Sequence, residues 1–85
     1  MHPTSEPTLP LSIAGTGARV QIVGLSGGMR SAHRLAELGL TPGSEVTILN
    51  NDGGALLLAV GDTRLGVGRG LAHKVLVTFL ERNGS

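Results

Sequence analysis

The sequence predicts a small, mainly β fold: a strongly bent antiparallel sheet or barrel of about five short strands, with one α-helix and short helical turns. Three observations predict it. Glycine occurs 14 times among 85 residues, and many glycines between short apolar segments indicate tight turns. Several segments alternate apolar and polar residues with the period of a strand. A single stretch, ending at Gly39, has a helical pattern, and the length fits one small domain.

Periodicity and turn residues place each element along the chain. The patterns predict strands over residues 19–25, 44–50, 55–60, 63–65 and 75–79, a helix from residue 29 or 30 to residue 38, and single helical turns over residues 11–14 and 69–72. Gly61 and Asp62 fit a two-residue hairpin turn with glycine first. Val46 and Ile48 are expected to point inward. The other expected inward faces are Val75, Val77 and Phe79 in the last strand, and Met29, Ala32, Leu35, Ala36 and Leu38 along the helix.

Composition sets the domain boundaries. Residues 1–10 hold three of the four prolines and are expected to form a disordered arm. Residues 11–80 are expected to form the folded domain, and residues 81–85 a polar tail. The longest apolar run is the six residues 55–60, whereas a membrane-spanning helix needs about 20 residues, so no direct insertion into a membrane is expected.

The stretch from Arg34 to Gly43 determines where the helix ends and where the next strand begins. Gly39 is expected to take a left-handed backbone conformation at the helix end, which glycine adopts without steric cost. Leu40 would then fold back onto Leu35. A proline followed by glycine fits the centre of a type II turn and prevents the helix from resuming. The residues of this motif are Arg34, Leu35, Leu38, Gly39, Leu40, Pro42 and Gly43.

This motif, R-L-x-x-L-G-L-x-P-G, resembles the signature of the FeoA family, small cytosolic proteins of bacterial ferrous iron uptake. Weaker similarity extends from about residue 11 to residue 77. The resemblance implies an SH3-like domain, a cytoplasmic location and an accessory role in which the protein binds the cytosolic side of FeoB, a membrane permease with a GTP-binding domain. A related SH3-like domain ends some iron- or manganese-dependent repressors, so a small metal-sensing module is the alternative.

The chain departs from the resembling family at Gly66, Gly68 and Gly70, where the family usually has charged or helix-forming residues. Each glycine weakens a helix interior by about 1 kcal/mol relative to alanine. The segment from residue 66 is therefore expected to be a mobile loop that closes in one short helical turn.

Composition argues against several classes of function. The chain has no cysteine, so it forms neither disulfides nor thiolate metal sites. A net charge of +1, scattered along the sequence, does not predict a nucleic-acid surface. Phe79 is the sole aromatic residue, so neither an aromatic groove for proline-rich peptides nor base stacking is available. No serine has an evident histidine-plus-acid setting, and the sequence predicts no enzyme.

One pair of residues has the spacing of metal ligands. His33 and Glu37 lie four residues apart on the predicted helix, where they could chelate a divalent ion such as Fe²⁺ or Zn²⁺. His73, or His2 in the arm, could supply a third ligand. The alternative is an exposed helix face, on which polar pairs at this spacing are usual. Apart from this site the sequence indicates no cofactor.

Leu56, Leu57 and Leu58 follow one another in the third predicted strand. Because successive side chains of a strand point to opposite faces, at least one of these leucines must face away from the interior. An exposed aliphatic patch suggests a protein partner or a homo-oligomer. The alternative is that another part of the chain covers it.

Overall fold

A computed structural model describes residues 7–80 of the chain. It contains one antiparallel sheet of six strands in the order β1-β6-β2-β3-β4-β5. The elements are β1 (Leu9–Pro10), a 3₁₀ turn (Leu11–Ile13), β2 (Arg19–Leu25), α1 (Met29–Glu37), β3 (Glu45–Asn50), β4 (Ala55–Val60), β5 (Thr63–Gly68), α2 (Arg69–Ala72) and β6 (Val75–Phe79). No helix in this part of the chain has the length and apolar character needed to cross a membrane.

Two irregularities in strand pairing bend the sheet. The register of β2 against β6 shifts between Ile22 and Gly24, and the register of β3 against β4 shifts between Ile48 and Asn50. An extra residue on one strand of a pair bends that strand and increases its twist. β2 pairs with β3 through its first residues and with β6 along most of its length, so the two halves of the sheet enclose one core.

The core is aliphatic, and the period-two patterns predict part of it correctly. Val46 and Ile48 are buried as expected. The buried apolar residues are Leu11, Ala14, Val20, Ile22, Leu35, Leu40, Val46, Ile48, Leu56, Leu58, Val67, Ala72, Val75 and Val77. Phe79 was expected among them but is 53% exposed. It is the last residue of β6 and pairs with the buried Val20 of β2, yet the alternation that buries Val75 and Val77 does not bury it.

The predicted apolar stripe of the helix is wrong for Met29 and Ala36, which are exposed. Of the residues in α1, Leu35 alone is buried, and Met29 is 87% exposed. Ala36 is exposed, whereas Ala32 and the capping residue Leu38 are half-buried. Met29 precedes Leu35 by six residues, or about 9 Å along a helix axis, so the exposed start of the helix is well separated from the residue that the core buries. The helix packs on the core at its C-terminal end.

Both edge strands differ from the predictions. Leu9 and Pro10, assigned to a disordered arm, pair with Val77 and Leu76 of β6, and residues 1–6 and 81–85 lie outside the described residues. β5 continues to Gly68 instead of ending at residue 65, because its backbone pairs with β4 along the whole strand. Pairing with a neighbouring strand thus overrides the low strand propensity of glycine. The expected mobile loop is wrong, whereas the helical turn over residues 69–72 is confirmed.

Candidate functional site

The end of α1 has the geometry that the motif predicts. Gly39 has a φ of 84°, and its N–H donates to the carbonyl of Ala36 at 2.9 Å. The N–H of Leu40 donates to the carbonyl of Leu35 at 2.9 Å. These are the two bonds of a Schellman ending, in which the residue after the glycine contacts the last turn. Leu35 and Leu40 are both fully buried, so this helix end is also a core contact.

The turn after the helix is tied to β2. Gly43 has a φ of 97°, and the N–H of Ser44 donates to the carbonyl of Thr41 at 2.9 Å, as in a type II turn. The hydroxyl of Ser44 donates to the carbonyl of Gly39 at 3.1 Å. Gly43 then donates to the carbonyl of Ile22, and Ile22 donates to the carbonyl of Ser44, at 2.8 and 2.9 Å. The motif therefore positions backbone and core; within it, Arg34 projects into solvent.

The three consecutive leucines alternate as the strand geometry requires. Leu56 and Leu58 are fully buried, and Leu57 is 42% exposed. The partner of Leu57 in β5 is Gly66, which has no side chain to shield it. An exposed leucine on the outer face of β4 is therefore confirmed.

The histidines expected to bind metal separate into two places. The Nε2 atom of His33 lies 3.3 Å from Oε2 of Glu37, and both side chains are exposed. His73 instead places Nδ1 3.1 Å from the hydroxyl of Ser12. Among residues 7–80 there is no cluster of three or more histidine, aspartate or glutamate side chains that could hold a metal ion. His2 lies outside the described residues.

A partly buried polar cluster, here called the polar hub, consists of Ser12, Asn51, Arg69 and His73. The guanidinium of Arg69 donates from Nε to the carbonyl of Gly53 at 3.0 Å. It donates from Nη1 to the carbonyl of Ser12 at 2.9 Å and from Nη2 to Oδ1 of Asn51 at 2.6 Å. One side chain thus joins the start of α2 to the 3₁₀ turn and to the β3–β4 hairpin.

Asn51 completes the hub from the hairpin side. Its Nδ2 atom donates to the carbonyls of Ser12 at 3.1 Å and Ala14 at 2.7 Å, and its backbone N–H donates to the hydroxyl of Thr16 at 3.1 Å. Sequence reasoning missed the hub because its members are far apart in the chain and match no motif. Ser12 is only 4% exposed, and its contact with His73 links the 3₁₀ turn to the end of α2.

Basic side chains surround the exposed part of α1. Arg30 and Arg34 lie on the helix and are exposed, and Nζ of Lys74 lies 3.4 Å from the hydroxyl of Ser31. The ion pairs within residues 7–80 are Arg19 with Glu45 at 3.7 Å and His33 with Glu37. The three basic residues around α1 therefore have no acidic partner in the described part of the chain.

A shallow groove of about 410 Å³ crosses the outer face of the sheet between β2, β3 and β4. The exposed Arg19–Glu45 ion pair borders it, and Val60 and Gly61 close its other side. Its walls combine backbone, two charges and small apolar side chains, without a histidine or a second carboxylate. This arrangement supplies no general acid or base pair.

The sequence matches the family described as FeoA domain over residues 9–78. It is 29% identical over 75 residues to the "Putative Fe(2+) transport protein A" of Methanocaldococcus jannaschii, a match that covers 88% of this chain and 92% of that protein. A crystal structure of an iron uptake regulatory protein, FeoA, superposes with a TM-score of 0.81 at 35% identity, covering 87% of this chain and 99% of the other. The SH3-like fold implied by the resemblance is confirmed.

A larger protein contains the same fold. A manganese-dependent transcriptional repressor superposes with a TM-score of 0.82 at 18% identity, over 91% of this chain but 44% of the repressor. At this identity the likeness concerns the fold alone.

Proposed function

This chain belongs to the FeoA family, and on that premise we propose that it is a non-enzymatic accessory protein of ferrous iron uptake that binds the cytosolic side of a FeoB-like membrane permease. The family match carries this proposal because it spans residues 9–78, nearly all of the described fold. A relative named as a transport protein for Fe(2+) supports it. A cytoplasmic location follows from the proposed partner.

The surface proposed to contact the permease is the outer face of β4 around Leu57. Leu57 is a large apolar side chain that is 42% exposed, although its strand neighbours Leu56 and Leu58 fill the core. An exposed apolar residue on a small domain that buries its other leucines fits a protein contact.

Calorimetric titration of the cytosolic part of the cognate permease into this protein tests the proposal. We expect binding and a change in GTP turnover, and we expect Leu57→Asp to weaken binding by at least about tenfold, the scale of losing one buried apolar contact. Val23→Asp is the matched control, because Val23 on β2 is 43% exposed and is not part of the proposed surface. A wild-type protein that neither binds nor changes GTP turnover would overturn the proposal.

Transition-metal binding is a second candidate function, and the His33–Glu37 contact at 3.3 Å favours it. Two ligands at this spacing hold a divalent ion weakly unless a partner supplies others. Calorimetry with Zn²⁺, or with Fe²⁺ under anaerobic conditions, should show an affinity that His33→Ala removes and His73→Ala leaves unchanged. Equal affinity in all three proteins would eliminate this site.

A further inference from the structure

The two edges of the sheet are built differently. β1, at one edge, is two residues long and contains Pro10, and short length and proline both prevent further strands from adding to an edge. β5, at the other edge, has six residues and pairs with β4 alone. Of its side chains, Arg64 is the one that carries a charge. β5 therefore has fewer features than β1 that would prevent another strand from pairing with it.

The hairpin register shows which backbone groups of β5 face outward. Val60 and Thr63 flank the two-residue turn of Gly61 and Asp62, so they exchange hydrogen bonds with each other, and such pairs alternate along the hairpin. The pairs of Arg64 with Ala59 and of Gly66 with Leu57 are consequently not hydrogen-bonded to each other. The N–H and C=O groups of these two β5 residues point away from β4, toward the open edge.

The glycines of β5 are not required by the fold. Neither Gly66 nor Gly68 has a positive φ. A Cβ atom on Gly66 would approach no closer than 3.9 Å to the carbonyl oxygen of Leu56, and one on Gly68 would have nothing within 4 Å. Glycine inside a strand reduces stability, and it often marks a place where another backbone or a ligand approaches closely. Nothing inside the described part of this protein approaches these two glycines closely, so the space over them is open to a segment from outside.

The side chains beside the glycines indicate what the approaching segment carries. Leu57 lies directly across from Gly66 on the outer face, so an apolar side chain opposite Gly66 on an added strand could reach over the glycine and cover it. That strand would lie about 10 Å from β4, two strand spacings away. Arg64 is on the same face and forms no ion pair within residues 7–80. An acidic residue opposite it would complement its charge.

We propose that the β5 edge accepts an extended segment of a partner protein as a seventh, antiparallel strand, with an apolar residue opposite Gly66 and, two residues later, an acidic residue opposite Arg64. The identity of the partner rests on the proposed function, under which the added segment belongs to the cytosolic part of the permease. A second copy of this chain fits less well. Two-fold pairing about Gly66 would place glycine opposite glycine and Arg64 opposite glycine, leaving Leu57 uncovered and the arginine unpaired.

Amide hydrogen exchange, followed by NMR in the presence of the cytosolic part of the permease, tests strand addition. We expect the N–H groups of Arg64 and Gly66 to exchange rapidly in the free protein and at least about tenfold more slowly in the complex, because they become hydrogen-bonded. We expect Gly66→Lys to weaken binding by at least about tenfold, since lysine blocks edge pairing. Thr63→Lys, with the same added charge at the hairpin tip, is the matched control and should bind like wild type.

The outcomes separate this inference from the proposed function. Binding of the permease without protection of these two amides leaves the proposed function standing and overturns strand addition.

If the permease does not bind, the edge is tested with the synthetic peptide Lys-Val-Thr-Leu-Thr-Asp-Thr-Lys, compared with a control in which glycine and lysine replace its leucine and aspartate. Protection of both amides by the first peptide alone supports the inference, and protection by neither overturns it. A third outcome is that the protein alone, without permease or peptide, protects these two amides more strongly at higher protein concentration and forms a dimer in sedimentation. That result would assign the β5 edge to a second copy of this chain and would also overturn the inference.

Discussion

The two α-helices within residues 7–80 are held in opposite ways. α2 has only four residues, yet the side chain of its first residue, Arg69, reaches three separate carbonyl or amide oxygens. α1 has nine residues, but Leu35 is the one residue of the helix that the core buries, and Met29 at its start is 87% exposed. The shorter helix is joined to distant parts of the chain, whereas the longer helix is fixed mainly by its own last turn.

This difference shows that helix length and propensity do not determine how firmly a helix is attached. A short helix gains little from its own hydrogen bonds because nucleation is costly. α2 is stabilised instead by contacts that close several loops at once. α1 can form from local signals, and a single buried side chain then fixes its position. Substitutions in the two helices should therefore affect stability through different contacts.

The largest effect is expected from Leu35→Ala. Removing a fully buried leucine side chain destabilises proteins by about 3 kcal/mol through lost burial and the cavity left behind. Leu35 joins α1 to Leu40 and the core. Urea unfolding should show a lower midpoint, and α1 should lose amide protection before the sheet does. A change below about 1 kcal/mol would mean that α1 is attached by something other than this leucine.

Arg69→Ala should have the second largest effect, at about 2 kcal/mol, since removing the guanidinium leaves partly buried acceptors without their partner. Arg69→Lys should restore little of this loss, because an ammonium group lacks the planar set of donors that contacts several oxygens at once. Arg64→Ala, at an exposed arginine of β5, is the control in the same unfolding measurement. If Arg69→Ala lowers the free energy of unfolding no more than that control does, the contacts of Arg69 do not hold α2 in place.

Gly39→Ala should destabilise the protein by about 1 kcal/mol, because an L-residue is strained at a left-handed φ. The φ of Gly39 is 84°, and a Cβ atom would meet nothing within 4 Å. The cost therefore arises within the backbone of the residue itself and not from a clash with a neighbour, so Gly39→Asn should recover part of it. Thermal unfolding of the three proteins measures both changes. Equal stability of the alanine and glycine forms would show that the backbone at the helix end adjusts freely.

Met29→Ser should have the smallest effect, within about 0.5 kcal/mol, as is usual for exposed positions. Met29 is 87% exposed, although its position in the sequence suggests a core residue. Circular dichroism and urea unfolding should give values close to those of wild type. A loss of stability approaching that of Leu35→Ala would show that Met29 packs as a core residue, as the apolar stripe in the sequence predicts.

What the sequence predicts well depends on neighbours within a few residues. The Schellman ending at Gly39 joins residues five apart or fewer, and the outward position of Leu57 follows from strand alternation alone. Residue types at those distances determine the geometry. The extent of β1 and β5, by contrast, depends on which strand lies beside each of them, and no local pattern contains that information.

The polar hub could not be predicted for the same reason. Arg69 and Asn51 are 18 residues apart, and Arg69 and Ser12 are 57 apart. A glycine-rich segment that contains one arginine gives no sign of its distant acceptors. The prediction for Met29 and Ala36 is wrong because periodicity shows only that one side of a helix is more apolar, whereas burial depends on how far the sheet extends beneath the helix.

The hydrogen bond from the hydroxyl of Thr78 to the carbonyl of Pro7, at 3.0 Å, brings the beginning and the end of the described chain side by side. A domain with neighbouring ends can be inserted as a unit into a loop of another protein, or reopened elsewhere after its ends are joined by a short linker. For this protein, a circular permutant opened at the β3–β4 hairpin would cut into the polar hub. One opened at the turn of Gly61 and Asp62 would leave the hub intact, and we expect that permutant to fold.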